Sequence, residues 1–230
     1  MNRICHPSKI RHKMCAFIST GLLVSRVVDA TLVRPSLKGA LVSWYGLVAV
    51  GVSAAALSSL GLAKSFLRVP SKDTPCSSRT FALQFTKTLT RCLLFPGFAE
   101  EAVWRCLIHP SPITSAIGAA PAATFSWATI QKILMINAAF SPYHPIVGKI
   151  VWELIPLRLG LSSLHRPGVT HIFTEPAFLF LTFVLGNVCS AACMLTGGDL
   201  YAPVFIHAVA VAVWLEVLGG AKALRIEKLK

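Results

Sequence analysis

Residues 39–63 read GALVSWYGLVAVGVSAAALSSLGLA, a run without a single charged side chain. A transmembrane helix needs about 20 predominantly apolar residues, so this run is long enough to cross a bilayer. Two further apolar runs, at residues 177–195 and 201–219, flank the turn sequence TGGDL and predict a helical hairpin. Together these runs predict an all-α fold whose helices cross a membrane.

The composition of the whole chain agrees with this interpretation. Of the 230 residues, 54% are hydrophobic and only 13% are charged, whereas soluble domains have about 25% charged residues. The mean hydropathy is +0.66. Weaker apolar segments at residues 93–108, 113–130, 133–140 and 146–164 bring the total to about six or seven membrane segments. We therefore expect an all-α, polytopic transmembrane helical bundle.

The positive charge of the chain indicates topology rather than nucleic-acid binding. The net charge is +13, but the basic residues fall between the apolar runs and not on one face. The turns at residues 109–112 and 196–200 contain no Lys or Arg, so we expect them outside, with the basic loops and the C-terminus inside. For this path, residues 133–164 must enter the membrane and return to the side from which they started. The expected partner is the lipid bilayer, with no nucleic acid.

Three parts of the chain differ in composition. Residues 1–36 form a basic N-terminal segment, residues 37–220 a membrane-embedded domain, and residues 221–230 a basic tail. The first 28 residues contain no acidic side chain, which is typical of an organelle transit peptide and equally of a cytoplasmic tail. The seven cysteines have no spacing that predicts a disulfide framework.

Two adjacent carboxylates interrupt an apolar segment, PGFAEEAVWRCLIHP, at residues 96–110. Glu101 precedes Arg105 by four residues, the favourable order for an ion pair on a helix, whereas Glu100 points about 100° away. Each charge at bilayer depth costs roughly 2.5–3.5 kcal/mol, so such residues usually serve a function. The alternative is a helix end near the headgroups that carries a salt bridge.

A second polar group should therefore face Glu100 from elsewhere in the chain. Two histidines lie in apolar surroundings: His144 ends the sequence FSPYH, and His207 lies in PVFIHAVAVAVW. Taken singly, each is typical of a packed histidine bonded to a carbonyl group. As a pair they are the candidate partners of Glu100.

The three elements together resemble a known family. EEAVWR (100–105), FSPYH (140–144) and HAVAV (207–211) are similar in order and spacing to the EExxxR, FxxxH and HxxxN/D motifs of the CAAX-protease and bacteriocin-processing family of glutamic intramembrane proteases. The resemblance covers about residues 93–219. The sequence GGDLYAPVFIHAVAVAVWLEVLGG at residues 197–220 looks like a cyanobacterial and plant-type branch.

The resemblance implies a membrane-embedded endopeptidase that hydrolyses a peptide bond of a membrane-bound protein or peptide substrate with a glutamate-activated water. It implies no cofactor and no metal. Glu100 would be the base and later the acid, His144 would orient the water, and His207 would stabilise the oxyanion. Desolvation favours the neutral form of a carboxyl group, which suits a group that accepts and returns a proton. The supporting residues would be Glu101, Arg105 and Phe140.

The sequence departs from the family pattern at Val211, where the family has Asn or Asp. Valine cannot donate a hydrogen bond, so Asn137, Asn187 or Tyr143 would have to supply the oxyanion donor. This departure favours the alternative function, a catalytically inactive membrane scaffold or adaptor on the same fold. A zinc protease is less favoured because the chain has no HExxH motif.

The predicted location is an integral, multi-pass position in a membrane. The basic N-terminus and the plant-like motif branch indicate a plastid membrane if the source is eukaryotic, and the plasma membrane if it is bacterial.

Overall fold

The computed structural model of the chain describes residues 37–63, 67, 78–108, 126–160 and 170–224. Every regular element within these residues is helical, so the predicted all-α class is confirmed. The N-terminal segment, the turn at residues 109–112, most of the apolar run 113–130 and residues 225–230 lie outside the described residues. Predictions about those segments stay predictions.

In chain order the helices are α1 (Leu37–Ser59), α2 (Ser78–Cys92), α3 (Ala99–Glu101), α4 (Trp127–Lys149), α5 (Ile155–Arg158), α6 (Thr170–Phe173), α7 (Pro176–Leu195), α8 (Tyr201–Glu216) and α9 (Gly220–Ala223), with π-helical stretches at Leu93–Phe98, Ala102–Ile108 and Ile150–Leu154.

The hairpin that the TGGDL sequence predicts is present. Helix α7 ends before Gly197 and Gly198, whose φ angles are +74° and +97°, a region that glycine enters without steric cost. Asp199 then accepts a hydrogen bond from the backbone N–H of Tyr201, the first residue of α8, at 2.7 Å. The turn therefore returns the chain directly along α7.

Helix α1 packs against this hairpin on one side only. The two elements approach closely at Gly46 of α1, because a Cβ added there would lie 2.8 Å from the Ile206 side chain of α8. The other side leaves large apolar side chains exposed, among them Leu41, Trp44 and Val52. Within the described residues, α1 and α7 are long and apolar enough to cross a membrane, and α8 is apolar but shorter.

The helical segment from Ser78 to Ile108 is broken in the middle. Phe95 has extended backbone angles (φ −147°, ψ 123°), as the steric demand of the following Pro96 favours. Beyond the break, Gly97 lies against α8, where an added Cβ would be 3.2 Å from the Val204 carbonyl oxygen. This close approach brings the segment that carries Glu100 and Glu101 alongside α8.

Helix α4 corrects one prediction. We expected residues 133–164 to make a return excursion, but residues 127–158 form one helical run that continues through Pro142 and Pro145. Each proline removes a backbone hydrogen bond, which normally kinks or ends a helix. This stretch of α4 is held against α7, where the Ser141 hydroxyl donates to the Leu179 carbonyl oxygen and lies 3.0 Å from Thr182 Oγ1.

Candidate active site

Glu101 is the centre of a buried ion-pair network. Its Oε2 accepts from Nε of Arg105 at 2.7 Å, the ion pair that the spacing predicts. Its Oε1 lies 2.7 Å from Nδ1 of His207, a contact that the sequence did not predict. Glu101 has no exposed surface, so its carboxylate is paired on both sides within the protein interior.

Arg105 connects three parts of the bundle. Beyond Glu101, its guanidinium donates to Ser190 Oγ at 2.6 Å, to the Gly186 carbonyl oxygen at 3.1 Å and to Asn137 Oδ1 at 3.3 Å. A buried charge is tolerated when it is both paired and hydrogen-bonded. Arg105 therefore holds its own segment against α4 and α7.

The two candidate asparagine donors belong to this Arg105 network. The amide hydrogens of Asn137 go to Ser190 Oγ at 3.0 Å and Asn187 Oδ1 at 3.2 Å. An asparagine amide has two hydrogens, so Asn137 keeps none for a substrate. Asn187 itself donates to the Phe183 carbonyl oxygen at 2.8 Å. Their observed role is to complete the hydrogen bonding of the core.

Glu100 lies beside the network and not within it. Its Oε2 is 3.7 Å from Nε2 of His144 and 3.8 Å from Nε2 of His207. This oxygen is buried and has no hydrogen-bond partner among the described residues. The three candidate catalytic residues, which come from three separate segments, thus meet at one carboxylate oxygen.

The hydrogen bonds at Nδ1 fix the orientation of both imidazole rings. His144 Nδ1 lies 2.9 Å from the Phe140 carbonyl oxygen. A carbonyl only accepts, so Nδ1 carries the proton, and a neutral His144 ring turns an acceptor Nε2 toward Glu100. In the same way His207 donates from Nδ1 to the Glu101 carboxylate, which leaves its Nε2 facing Glu100.

The cluster has the same overall charge for two positions of one proton. Arg105 balances Glu101. The remaining pair, Glu100 and His207, is neutral overall when the proton resides on Glu100 and equally when it resides on Nε2 of His207. An uncompensated charge in an apolar interior is costly, so only a transfer that keeps the cluster neutral is inexpensive.

Aromatic rings enclose the His144 side of the site. The Phe140 ring is fully buried and lies edge-to-face with His144 at a centroid distance of 4.7 Å. Phe178 contacts the His144 ring at 5.5 Å, and Trp104 contacts Phe140 at 5.1 Å. Phe140 therefore serves as a support that fixes the His144 ring by packing and by its carbonyl oxygen.

Val211 does not take part in the polar cluster. It lies one turn after His207 and packs with the buried residues Cys92, Ala208 and Ala212. Sequence reasoning missed a different donor, Trp104, whose Nε1 is buried without a hydrogen-bond partner among the described residues. A tryptophan in an apolar helix normally indicates packing, so no sequence signal marks its N–H group.

Among the described residues, no group of three or more His, Cys, Asp or Glu side chains is arranged to hold a metal ion. Comparison with known proteins gives no match: no family model, curated protein or solved structure is significantly similar to this chain. The function is therefore inferred from the site itself.

Proposed function

We propose that the protein is a multi-pass membrane endopeptidase that uses Glu100 to activate a water for hydrolysis of a peptide bond in a membrane-bound protein or peptide. The supporting observation is the position of one buried carboxylate oxygen 3.7 Å and 3.8 Å from the Nε2 atoms of His144 and His207. The resemblance of the three motifs to the CAAX-protease and bacteriocin-processing family points to the same chemistry.

The spacing of these atoms suits a water molecule beside all three side chains. The two distances are too long for direct hydrogen bonds, and polar groups at such separations are commonly bridged by water. A Glu100 carboxylate and His144 Nε2 are both acceptors. A water that donates one hydrogen to each would keep an oxygen lone pair free to attack a carbonyl carbon.

The reaction then needs only groups that the site contains. Glu100 takes a proton from the water, the oxygen bonds to the carbonyl carbon, and the carbonyl electron pair moves to oxygen to give an oxyanion. His207, protonated at Nε2, donates a hydrogen bond to this oxyanion while Glu101 holds its Nδ1–H. The C–N bond breaks as Glu100 returns its proton to the leaving nitrogen. The products are a carboxylic acid and an amine, and Glu100 is again a carboxylate.

The surface of α1 supports a membrane location. Almost none of this apolar helix is buried in the protein, and soluble proteins rarely expose a continuous apolar face of this size. A lipid bilayer covers such a face without a protein partner. We propose a plastid membrane for a eukaryotic source and the plasma membrane for a bacterial one, on the basis of the N-terminal composition.

One observation favours a second function, an inactive scaffold or adaptor. Val211 places a methyl-bearing side chain where the family pattern has a hydrogen-bond donor, and it packs in an apolar cluster. A scaffold would keep the Glu101–Arg105–His207 network for stability and would have no need for the Glu100 carboxylate.

Hydrolysis can be tested in liposomes that contain the purified protein and a library of peptides with C-terminal lipid anchors. In water enriched in ¹⁸O, the wild type should produce new peptide termini with one ¹⁸O atom in each new carboxyl group, detected by mass spectrometry. Glu100→Gln keeps the shape but cannot accept the proton, so cleavage should fall by about 10²-fold or more. The matched control is Glu175→Gln, which removes a carboxylate near the exposed His171 and should cleave like the wild type.

Three outcomes would overturn the proposal. They are equal cleavage by the Glu100→Gln and wild-type proteins, no new termini with the wild type, and activity that a chelator removes and zinc restores. The second outcome would favour the scaffold, and the third a metalloprotease.

A further inference from the structure

Two buried side-chain atoms have no hydrogen-bond partner among the described residues, Glu100 Oε2 and Trp104 Nε1. One is an acceptor and the other can only donate. Glu100 is already placed in the proposed reaction, whereas the Trp104 N–H is not used by it. Buried polar groups are nearly always paired, so an unpaired one needs an explanation, and a binding partner is one.

The helix register puts the two residues next to each other. Glu101 and Arg105, four residues apart on this segment, touch at 2.7 Å. Glu100 and Trp104 are also four residues apart, each one position before Glu101 and Arg105. They therefore lie on one side of the helix, next to the side that carries Glu101 and Arg105. Trp104 is only 6% exposed, so its N–H lies inside the protein and not at the solvent or lipid boundary.

Contacts with α4 hold the indole on the His144 side of the site. Its ring lies edge-to-face with Phe140 at 5.1 Å and with Tyr143 at 5.4 Å. Phe140 and Tyr143 in turn contact the His144 ring at 4.7 Å and 5.6 Å. Trp104 thus packs against the two residues that border His144.

Two other donors near Glu101, Arg105 and Asn137, already donate within the protein. Arg105 donates to Glu101, Ser190, Gly186 and Asn137, and Asn137 gives both amide hydrogens to Asn187 and Ser190. These groups cannot replace the donor that is lacking at Val211.

We propose that Trp104 Nε1–H donates a hydrogen bond to the carbonyl oxygen of the substrate peptide bond that is cut, and thereby stabilises the oxyanion together with His207. This role rests on the proposed peptide hydrolysis. The ligand class is a peptide backbone, since one carbonyl group accepts from the indole while its carbon faces the water held by Glu100. Trp104 is then a catalytic residue that compensates for Val211.

The test compares the kinetics of Trp104→Phe with those of the wild type in the same liposomes, on one peptide from the lipid-anchored library that the wild type cleaves. Phenylalanine keeps an aromatic ring but has no N–H. The kcat should fall by about 10²-fold, the usual effect of losing one oxyanion donor, with KM changed little. Trp44→Phe is the matched control, because Trp44 is 64% exposed on α1, and it should keep wild-type kinetics.

A second variant covers the case in which Trp104→Phe fails to fold. Benzothienylalanine at position 104 keeps the bicyclic shape and replaces the N–H by sulfur, so the same loss of kcat is expected. An unchanged kcat in the benzothienyl variant, or a change confined to KM, overturns this role of Trp104 and leaves the proposed hydrolysis standing. No cleavage by the wild type of any peptide in the library overturns the proposed hydrolysis, and with it the role of Trp104.

Discussion

At the scale of single residues, Arg105 gives the clearest stability prediction. Arg105→Ala removes four hydrogen bonds and leaves the fully buried Glu101 with His207 as its remaining partner. Breaking a buried ion pair by removing one member costs about 3–5 kcal/mol, because the other charge stays buried. We expect a large loss of folded protein, measured by thermal unfolding in detergent.

The control for this prediction is Lys87→Ala on α2, where the lysine is exposed. Its unfolding free energy should stay within about 0.5 kcal/mol of the wild-type value. If Arg105→Ala is as stable as Lys87→Ala, the network does not hold the bundle together.

The sequence predicted the ion pair within one helix and the approach of His144 and His207 to Glu100, but it missed the other long-range bonds of the network. The Glu101–Arg105 pair was predictable because both residues lie one turn apart on the same helix. The bond from His207 to Glu101 joins residues 106 positions apart in the sequence. The bond from Arg105 to Ser190 joins residues 85 positions apart. Such contacts depend on how the helices pack, which spacing along the chain does not encode.

At the scale of elements, the break at Phe95 positions Glu100. A substitution at Gly97 tests how important this break is. In Gly97→Ala the new Cβ would lie 2.6 Å from the Cys92 carbonyl oxygen and 3.2 Å from that of Val204. Both are backbone atoms, so the break between Cys92 and Gly97 has to open and the segment has to shift away from α8. We expect a destabilisation of about 1–3 kcal/mol, as for other overpacked sites, and reduced cleavage, measured by thermal unfolding and in the liposome assay.

The matched control is Gly51→Ala on α1, where an added Cβ meets nothing within 4 Å. Alanine is the better helix former, so this variant should be as stable as the wild type or more stable by up to about 1 kcal/mol. Equal effects of the two substitutions on stability and cleavage would mean that neither depends on the close approach of Gly97 to α8.

The error at the element scale has a physical cause. The apolar runs at residues 39–63, 177–195 and 201–219 were recognisable because the sequence carries almost no charge there. The return excursion of residues 133–164 was expected because it placed the basic loops on one side of the membrane and the turns without Lys or Arg on the other. The helix continues because its neighbour α7 supplies contacts that a local rule does not include.

At the scale of the whole molecule, the helix directions place the exposed Lys87 and the hairpin turn at opposite ends of α8. Helix α2 runs antiparallel to α8, since Thr88 bonds Glu216 while Cys92, one turn later, packs with Ala208 and Ala212. The exposed Lys87 therefore lies toward the C-terminal end of α8. The turn at residues 196–200, which has no Lys or Arg, lies at the other end.

This arrangement predicts opposite accessibility of the two ends when the helices cross a membrane. In a variant with the seven native cysteines replaced by alanine, single cysteines are introduced as Leu195→Cys and Lys222→Cys, both at exposed positions. A membrane-impermeant maleimide added to sealed, uniformly oriented vesicles should label one variant only, and labelling from the lumen should reverse the result. Because basic residues favour the inner side, Lys222→Cys should be the variant protected from outside reagent in right-side-out vesicles.

Detergent should expose both, which shows that each cysteine is reactive. Labelling of both variants from the same side of intact vesicles would mean that the bundle does not span the bilayer, and the exposed apolar face of α1 would then need a protein partner to cover it.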